Sequence, residues 1–161
     1  MKAYDNLGTF PDVPAALENL RKSSTIDAYV FSNGTNSMVS SSVNQSPSLS
    51  KFAGVFKDLI TVDKVGVYKP DPKVYHYLAK KVGKKDELGS VWLVSGNPFD
   101  VVGARAAGLQ ACWVDRKAGH HGNGGWSDRL GDLASGGPTI EVGGVGDAVE
   151  GIEKWVKEHG N

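Results

Sequence analysis

Residues 90–98 read SVWLVSGNP, and this stretch decides the fold class. An apolar run of strand length ends in the polar turn Ser95-Gly96-Asn97, and Pro98 is well suited to begin a helix after it. A strand whose two faces are both apolar is typical of a sheet that helices cover on both sides. The stretch therefore favours an α/β fold with a mainly parallel sheet.

The same alternation of strands and helices extends in both directions along the chain. Further strands are predicted at residues 27–32, 59–62, 110–114 and 139–142. Helices are predicted at residues 12–22, 36–44, 74–82, 98–106 and 149–156, with Asp12 capping the first and Gly83 and Gly108 ending the third and fourth. This order predicts parallel strands joined by helices, and the length of 161 residues fits a single domain over positions 1–161.

Charge and hydropathy exclude several classes of protein. Lysine and arginine together number 18, as do aspartate and glutamate, so the balance does not favour a nucleic-acid-binding protein. No apolar run reaches the ~18 residues that a membrane-spanning helix needs, and no basic and apolar leader follows Met1. The single cysteine, Cys112, excludes an internal disulfide and a multi-cysteine zinc site, and it favours a reducing, cytoplasmic setting.

Polar turns follow two of the predicted strands. Ser32, Asn33 and Gly34 come directly after the strand at 27–32, and Ser95-Gly96-Asn97 follows the strand at 90–94. Ligands of parallel sheets bind at the carboxyl ends of the strands, where backbone N–H groups, a hydroxyl and an amide can hold a small anion. An ordinary polar turn that caps the next helix would have the same composition, so both interpretations stay open for these turns.

Lys69 and Asp100 are the charged residues that could carry chemistry. Lys69 begins the segment Lys69-Pro70-Asp71-Pro72, whose prolines fix its position, so it could neutralise a catalytic carboxylate; the alternative is a solvated surface lysine. Asp100 lies in the first turn of the helix after Pro98, where it could share a water with Ser95 and Asn97. A carboxylate is favoured there by the helix dipole alone, which is the alternative for Asp100.

Three other residues invite a functional interpretation that their surroundings do not favour. His120 and His121 lie in the glycine-rich segment 119–126 without an acidic or cysteine partner, so an exposed loop is expected rather than a metal site. The role of this loop stays open. Cys112 falls inside a predicted strand and is expected to be an inert core residue.

Taken together, the segments resemble the haloacid dehalogenase superfamily, and within it the 2-haloacid dehalogenases, which hydrolyse the carbon–halogen bond of short 2-halo acids. The motifs that carry the resemblance are Phe31-Ser32-Asn33-Gly34, Val67-Tyr68-Lys69-Pro70-Asp71-Pro72-Lys73-Val74-Tyr75, Val94-Ser95-Gly96-Asn97-Pro98-Phe99-Asp100 and Gly103-Ala104-Arg105. They stand in the family's order and spacing. The resemblance implies a Rossmann-like core with a mainly parallel sheet and flanking helices.

The resemblance also implies how a small 2-halo acid, or another small carboxylate or anion, would bind. Ser32, Asn33 and Gly34 would bind the substrate carboxylate, and Asn33 with Phe99 would line the halide site. Tyr75 would orient either the substrate or the nucleophilic carboxylate. No cofactor and no metal are implied, and the partners implied include neither nucleic acid nor membrane.

The catalytic roles that the resemblance implies fall on four residues. Lys69 would hold the nucleophile as a carboxylate, while Ser95, Asn97 and Asp100 would position and activate the hydrolytic water. The family mechanism is covalent: an aspartate displaces halide from C2, and water then hydrolyses the ester. A phosphatase of the same superfamily is the alternative, but its Gly-Asp step near the third of these motifs reads Ser95-Gly96 here, so one magnesium ligand has no counterpart.

The nucleophile of the family lies in an Asp-x-x-Gly-Thr motif after an apolar strand, and no such strand and motif occur in this sequence. Asp5 precedes Asn6-Leu7-Gly8-Thr9, but no apolar strand comes before it, and the region resembles the return from cap to core. We therefore expect a partial core domain that lacks the family's first, central strand, the nucleophile and the cap, and that is inactive alone. Three arrangements are then open: the strands at 28–32 and 91–94 pair directly, a second copy of the chain docks at the gap, or an N-terminal segment is supplied in trans. We expect one of the last two. A non-catalytic binding domain is the other alternative.

Overall fold

A computed structural model describes residues 8–116, 126, 131 and 136–160. The chain divides into two compact units, Met1–Tyr68 and Lys69–Asn161. That the 161 residues form a single domain stays a prediction. His120 and His121, and the predicted loop 119–126 apart from Trp126, lie outside the described residues.

Over residues 8–68, the first unit holds two parallel strands and two helices. Helix α1 spans Val13–Lys22, strand β1 Ala28–Ser32, helix α2 Asn36–Gln45 and strand β2 Phe56–Thr61, with a 3-10 helix at Ser50–Val55 before β2. β1 pairs with β2 in parallel, and Ser32 lies opposite Thr61. The sequence predicts β2 only from residue 59, but the strand begins at Phe56 because Phe56 is the register partner of Ala28 at the start of β1.

Local signals explain the helices of this unit. In α2 the Thr35 hydroxyl caps the first turn by accepting from the Met38 N–H at 3.4 Å, and Val39 and Val43 share the buried face. Asp12 does occupy the N-cap position of α1, as predicted, but its side chain makes no capping hydrogen bond. The 3-10 helix at 50–55 has no counterpart in the sequence prediction.

Among its described residues, the second unit holds three parallel strands and the three helices named here. Helix α3 spans Pro72–Lys81, strand β3 Trp92–Ser95, helix α4 Pro98–Ala106, strand β4 Gln110–Val114, strand β5 Ile140–Val142 and helix α5 Val145–His159. A short 3-10 helix at Leu88–Ser90 precedes β3. The sheet order is β3-β4-β5, and both pairings are parallel. The predicted α/β fold with parallel strands is thereby confirmed.

Two glycines end helices of the second unit, as the sequence predicts. Gly83 follows α3 with φ 74°, and Gly108 follows α4 with φ 91°. A residue with a side chain adopts this left-handed conformation only at a cost, so glycine sets where each helix stops. The N-termini are set by prolines: Pro72 and Pro98 occupy the first helical turns, where their missing N–H groups need no partner.

Each sheet has a strand with one unpaired edge among the described residues. β1 has β2 on one side only, and β3 has β4 on one side only. Such an edge leaves backbone N–H and C=O groups that can pair with another strand. Among the same residues β2 and β5 have one neighbour as well, so the expected absence of the family's central strand stays a prediction.

Among the described residues, no helix combines the length and the apolar character needed to cross a membrane.

Candidate active site

A buried ion pair joins the starts of helices α3 and α4. The Lys69 Nζ donates to the Asp100 Oδ2 at 2.9 Å, and the two side chains are only 8% and 6% exposed. Charged groups are buried at such positions only when they are paired, because removing them from water is costly. Lys69 is therefore not a solvated surface lysine. The helix dipole alone does not account for Asp100, because its carboxylate is buried and paired with Lys69.

Tyr75 holds the second oxygen of the same carboxylate. Its hydroxyl donates to the Asp100 Oδ1 at 2.7 Å and lies 3.2 Å from the Asp100 main-chain oxygen. Tyr75 is fully buried, and this burial raises the pKa of its hydroxyl above the usual value, with the charge of Asp100 and the hydrogen bond adding to the shift. The hydroxyl therefore stays protonated, and Asp100 is held through both oxygens by two different donors.

The turn between β3 and α4 places two more predicted residues beside this carboxylate in the chain. Ser95 ends β3, is buried, and its Oγ accepts from the Asn97 N–H at 3.1 Å. Asn97 is the N-cap residue of α4 and is exposed, and its carbonyl accepts from the Asp100 N–H at 3.1 Å. Phe99, in the first turn of α4, is 44% exposed. Its predicted place at a halide site stays a prediction.

The anion-binding turn predicted at residues 32–34 lies in the first unit. Ser32 is the last residue of β1, and its Oγ accepts from the Gly34 N–H at 3.0 Å. One of the backbone donors predicted to hold an anion is thus already bonded to a side chain of the same turn. Ser32, Asn33 and Gly34 keep their predicted role as carboxylate ligands only as a prediction.

Sequence reasoning missed a third polar strand end. Thr61 closes β2 opposite Ser32, and its hydroxyl donates to the Asp63 Oδ1 at 2.6 Å. This hydrogen bond lowers the pKa of Asp63, and main-chain N–H groups, including that of Asn36 in the first turn of α2, lower it further. The signal was present in the sequence, because Asp63 follows a predicted strand as directly as Asn97 follows β3.

The described residues offer little to a metal or a reactive thiol. Within residues 8–116, 126, 131 and 136–160, no three His, Cys, Asp or Glu side chains are grouped so that they could hold a metal ion. Cys112 is buried in β4, and burial raises the pKa of its thiol to about 12, with the charge of Asp147 adding to the shift. The thiol is therefore protonated at neutral pH, as expected for an inert core residue.

The burial of the Lys69–Asp100 pair predicts a large cost when the lysine is replaced. Lys69→Met leaves the Asp100 carboxylate buried without its cation, so the free energy of unfolding should fall by roughly 3 kcal/mol in urea denaturation. Lys84→Met is the matched control, since the Lys84–Glu87 pair has the same distance of 2.9 Å but is 43% and 63% exposed. That control should lose less than about 1 kcal/mol. Equal losses for the two variants would contradict the assignment.

The lowered pKa of Asp63 predicts that this carboxylate supports the fold above its ordinary pKa of 3.8. A carboxylate whose pKa is lower in the folded state adds stability above the pKa of the unfolded state and loses it as the pH falls through the folded value. Asp63→Asn, which cannot ionise, should therefore be less stable than the wild type at pH 7 and approach it below the acidic pKa. Urea denaturation from pH 7 to pH 3 measures this, and a difference that stays constant with pH would contradict it.

Comparison with known proteins agrees with these features. Residues 1–108 match the profile of the haloacid dehalogenase-like hydrolases. The chain is 38% identical over 113 residues to the haloacetate dehalogenase H-2 of Moraxella sp. (strain B). This match covers 70% of this chain and 47% of the relative. It is 35% identical over 147 residues to the (S)-2-haloacid dehalogenase H-109 of Pseudomonas putida. This match covers 91% of this chain and 58% of the relative.

The fold has solved counterparts as well. The L-2-haloacid dehalogenase from Xanthobacter autotrophicus superimposes with a TM-score of 0.74 at 25% identity, over 95% of this chain and 64% of that one. The chain thus spans about half the length of the curated relatives it matches. The matched profile covers about two thirds of the sequence, including all the motifs singled out above. The chain therefore belongs to the haloacid dehalogenase-like hydrolases.

Proposed function

We propose that this chain supplies the Lys69–Asp100–Tyr75 cluster to an enzyme that hydrolyses short 2-halo acids through an aspartyl ester. The observation that carries the proposal is the buried Lys69–Asp100 ion pair with Tyr75 on the second carboxylate oxygen. A structural ion pair gains little from burial, because the desolvation of both charges offsets their attraction. In an active site, by contrast, a buried cation can hold a nucleophile in its charged form and a fixed carboxylate can orient water.

The reaction proceeds in two displacements. A carboxylate oxygen of the nucleophilic aspartate attacks C2 of the halo acid, the carbon–halogen bond breaks, and halide leaves with the electron pair. Water then adds to the ester carbonyl, the aspartate is released, and the 2-hydroxy acid and a proton are the products. The relatives named haloacetate and 2-haloacid dehalogenases support this substrate class.

The side chains of this chain act on charge and on water. The ammonium of Lys69 favours the ionised form of a neighbouring carboxylate nucleophile. Asp100 keeps further acceptor capacity although Lys69 and Tyr75 each bond one of its oxygens, because a carboxylate oxygen has two lone pairs. In the proposal Asp100 accepts a hydrogen bond from the hydrolytic water, which Ser95 and Asn97 help to place.

The substrate is bound by the other set of predicted residues. Ser32, Asn33 and Gly34 hold the substrate carboxylate, and Phe99 borders the halide. The ring of Phe99 is exposed and follows the turn Ser95-Gly96-Asn97, which suits that role. The nucleophile comes from an Asp-x-x-Gly-Thr motif after an apolar strand, which these 161 residues do not contain. A complementing N-terminal segment therefore completes the enzyme in this proposal; a second copy of the chain could pair with an open strand edge but would not supply the nucleophile.

Two alternatives stay open and make different demands. A phosphatase would bind magnesium at the turn after β3, where Gly96 offers no side chain. A non-catalytic binding domain would keep the anion-binding turn at residues 32–34 but would not need the Lys69–Asp100 pair. The buried pair therefore favours the hydrolase over the binding domain.

The proposal predicts that the chain alone releases no halide. Removal of a covalent nucleophile costs several orders of magnitude in rate, so the chain incubated with 2-chloropropionate should give no halide above the blank. Co-expression with the part of the Pseudomonas putida relative that lies outside the matched region should restore release, and Lys69→Met and Asp100→Asn should abolish it. Turnover by the chain alone that Asp5→Asn removes would show that Asp5 is the nucleophile after all.

Magnesium titration separates the hydrolase from the phosphatase. Calorimetry at low salt should show no binding in the micromolar range, because Asp100 is already bonded to Lys69 and Gly96 adds no ligand. A stoichiometric isotherm that Asp100→Asn removes would contradict the proposal and favour the phosphatase.

A further inference from the structure

Gly103 lies where the side chains of the catalytic cluster meet helix α4. It is buried and stands three residues after Asp100, so the two lie on the same face of the helix. A Cβ built at Gly103 would lie 2.6 Å from the Tyr75 hydroxyl oxygen, 2.9 Å from its Cε2 and 2.8 Å from the Pro70 Cβ. We propose that Gly103 is a positioning residue whose missing side chain lets the Tyr75 hydroxyl reach Asp100; this inference rests on the function proposed above.

The conformation of the backbone does not explain a glycine here. Gly103 is not among the described glycines with positive φ, which are Gly66, Gly83, Gly108 and Gly136. A glycine inside a helix is unfavourable compared with alanine because it loses more conformational freedom. What requires glycine is therefore the space that the Tyr75 ring and hydroxyl occupy.

A side chain at Gly103 would displace the buried Tyr75 ring from its position against α4. All three distances are below the 3.0 Å that real Cβ contacts respect, so an added methyl group would push the ring away from α4. Tyr75 is fully buried and cannot move outward into solvent. Its hydrogen bond of 2.7 Å to the Asp100 Oδ1 is the contact that would be lost, and Lys69 would then hold the carboxylate through Oδ2 alone.

The consequence for catalysis falls on the hydrolytic step. With one of its two fixed donors removed, the Asp100 carboxylate can rotate, and the water that it accepts from loses its defined position. In the proposed function Ser32, Asn33 and Gly34 hold the substrate carboxylate, and the Tyr75 hydroxyl is bonded to Asp100 rather than to the substrate. Because only the hydrolysis of the ester is slowed, we expect Gly103→Ala to lower kcat and KM for the halo acid together and to leave kcat/KM nearly unchanged.

A spectroscopic test of the chain by itself addresses the positioning directly. Tyrosine labelled with ¹³C at Cζ reports the hydrogen bond of each phenol by NMR, and Tyr75→Phe identifies the resonance of Tyr75. Gly103→Ala should move the Tyr75 signal upfield, toward a phenol without a carboxylate acceptor. Gly146→Ala is the matched control, since Gly146 lies in α5 with no atom within 4 Å of its Cβ position; this variant should leave the Tyr75 signal in place.

A kinetic test uses the complemented enzyme. Misplacement by about 1 Å can cost on the order of 100-fold in rate, so kcat should fall by one to two orders of magnitude in Gly103→Ala, while KM falls with it and kcat/KM changes less than about 2-fold. Tyr75→Phe should have a similar effect. The double variant should be no slower than either single one, because both remove the same hydrogen bond.

The outcomes separate the two proposals. An unmoved Tyr75 signal, or kinetic effects of the two substitutions that multiply, would overturn the role of Gly103. If Gly103→Ala does not fold, the double variant with Tyr75→Phe removes the 2.6 Å contact to the hydroxyl. Folding of the double variant would support the inference, and failure of both would assign the glycine to packing against the Tyr75 ring and Pro70 and overturn it. A moved signal in a chain that releases no halide after complementation would instead contradict the dehalogenase function and leave the placement of Tyr75 standing.

Discussion

The Lys69–Asp100 ion pair is the interaction on which the second unit's site depends. Two opposite charges lie almost out of contact with water, 31 residues apart in sequence and 2.9 Å apart in space. Neither charge is tolerated there alone, so the segment before α3 and the first turn of α4 are fixed together. Tyr75 then reaches the free oxygen of Asp100 from within α3, and the bare face of α4 at Gly103 admits its ring.

At each of the three polar strand ends, a hydroxyl makes a hydrogen bond with the residue two positions later. Ser32 and Ser95 each accept the N–H of the residue two positions later, and Thr61 donates to the side chain of Asp63, again two positions later. Serine and threonine form such turns readily because their short hydroxyls reach the neighbouring main chain. Each hydroxyl therefore shapes the turn in which it stands, as in an ordinary polar turn.

The chain covers only part of its relatives, and its sheets, where the structure describes them, have strands with a single neighbour. The chain covers about half of its curated relatives, and β1 and β3 each have a single strand neighbour among the described residues. A strand with one unpaired edge has backbone groups and one side of its packing to satisfy. Val94 on β3 is 39% exposed although it belongs to an apolar strand, so one face of this strand is partly open to solvent.

The sequence by itself determined the order of elements and most of their ends. Pro98 fixes a helix start and Gly83 and Gly108 fix helix stops, since each acts through the φ angle or the N–H group of its own residue. Helix α3, predicted from residue 74, begins at Pro72, and α5, predicted at 149–156, spans Val145–His159. The 3-10 helix at 50–55 and the early start of β2 escaped prediction, because the register with β1 decides them. The motifs also pointed to the family and to Lys69, Tyr75 and Asp100 one by one.

Only the tertiary structure decided what those side chains do to one another. A lysine in a proline-rich segment has the composition of an exposed loop, and its burial follows from a carboxylate that arrives 31 residues later. The same holds for Gly103, whose neighbours Tyr75 and Pro70 come from another part of the chain. Backbone conformation is set by near neighbours and can be inferred from them, whereas the pairing of buried charges and the space beside a glycine depend on packing between distant segments.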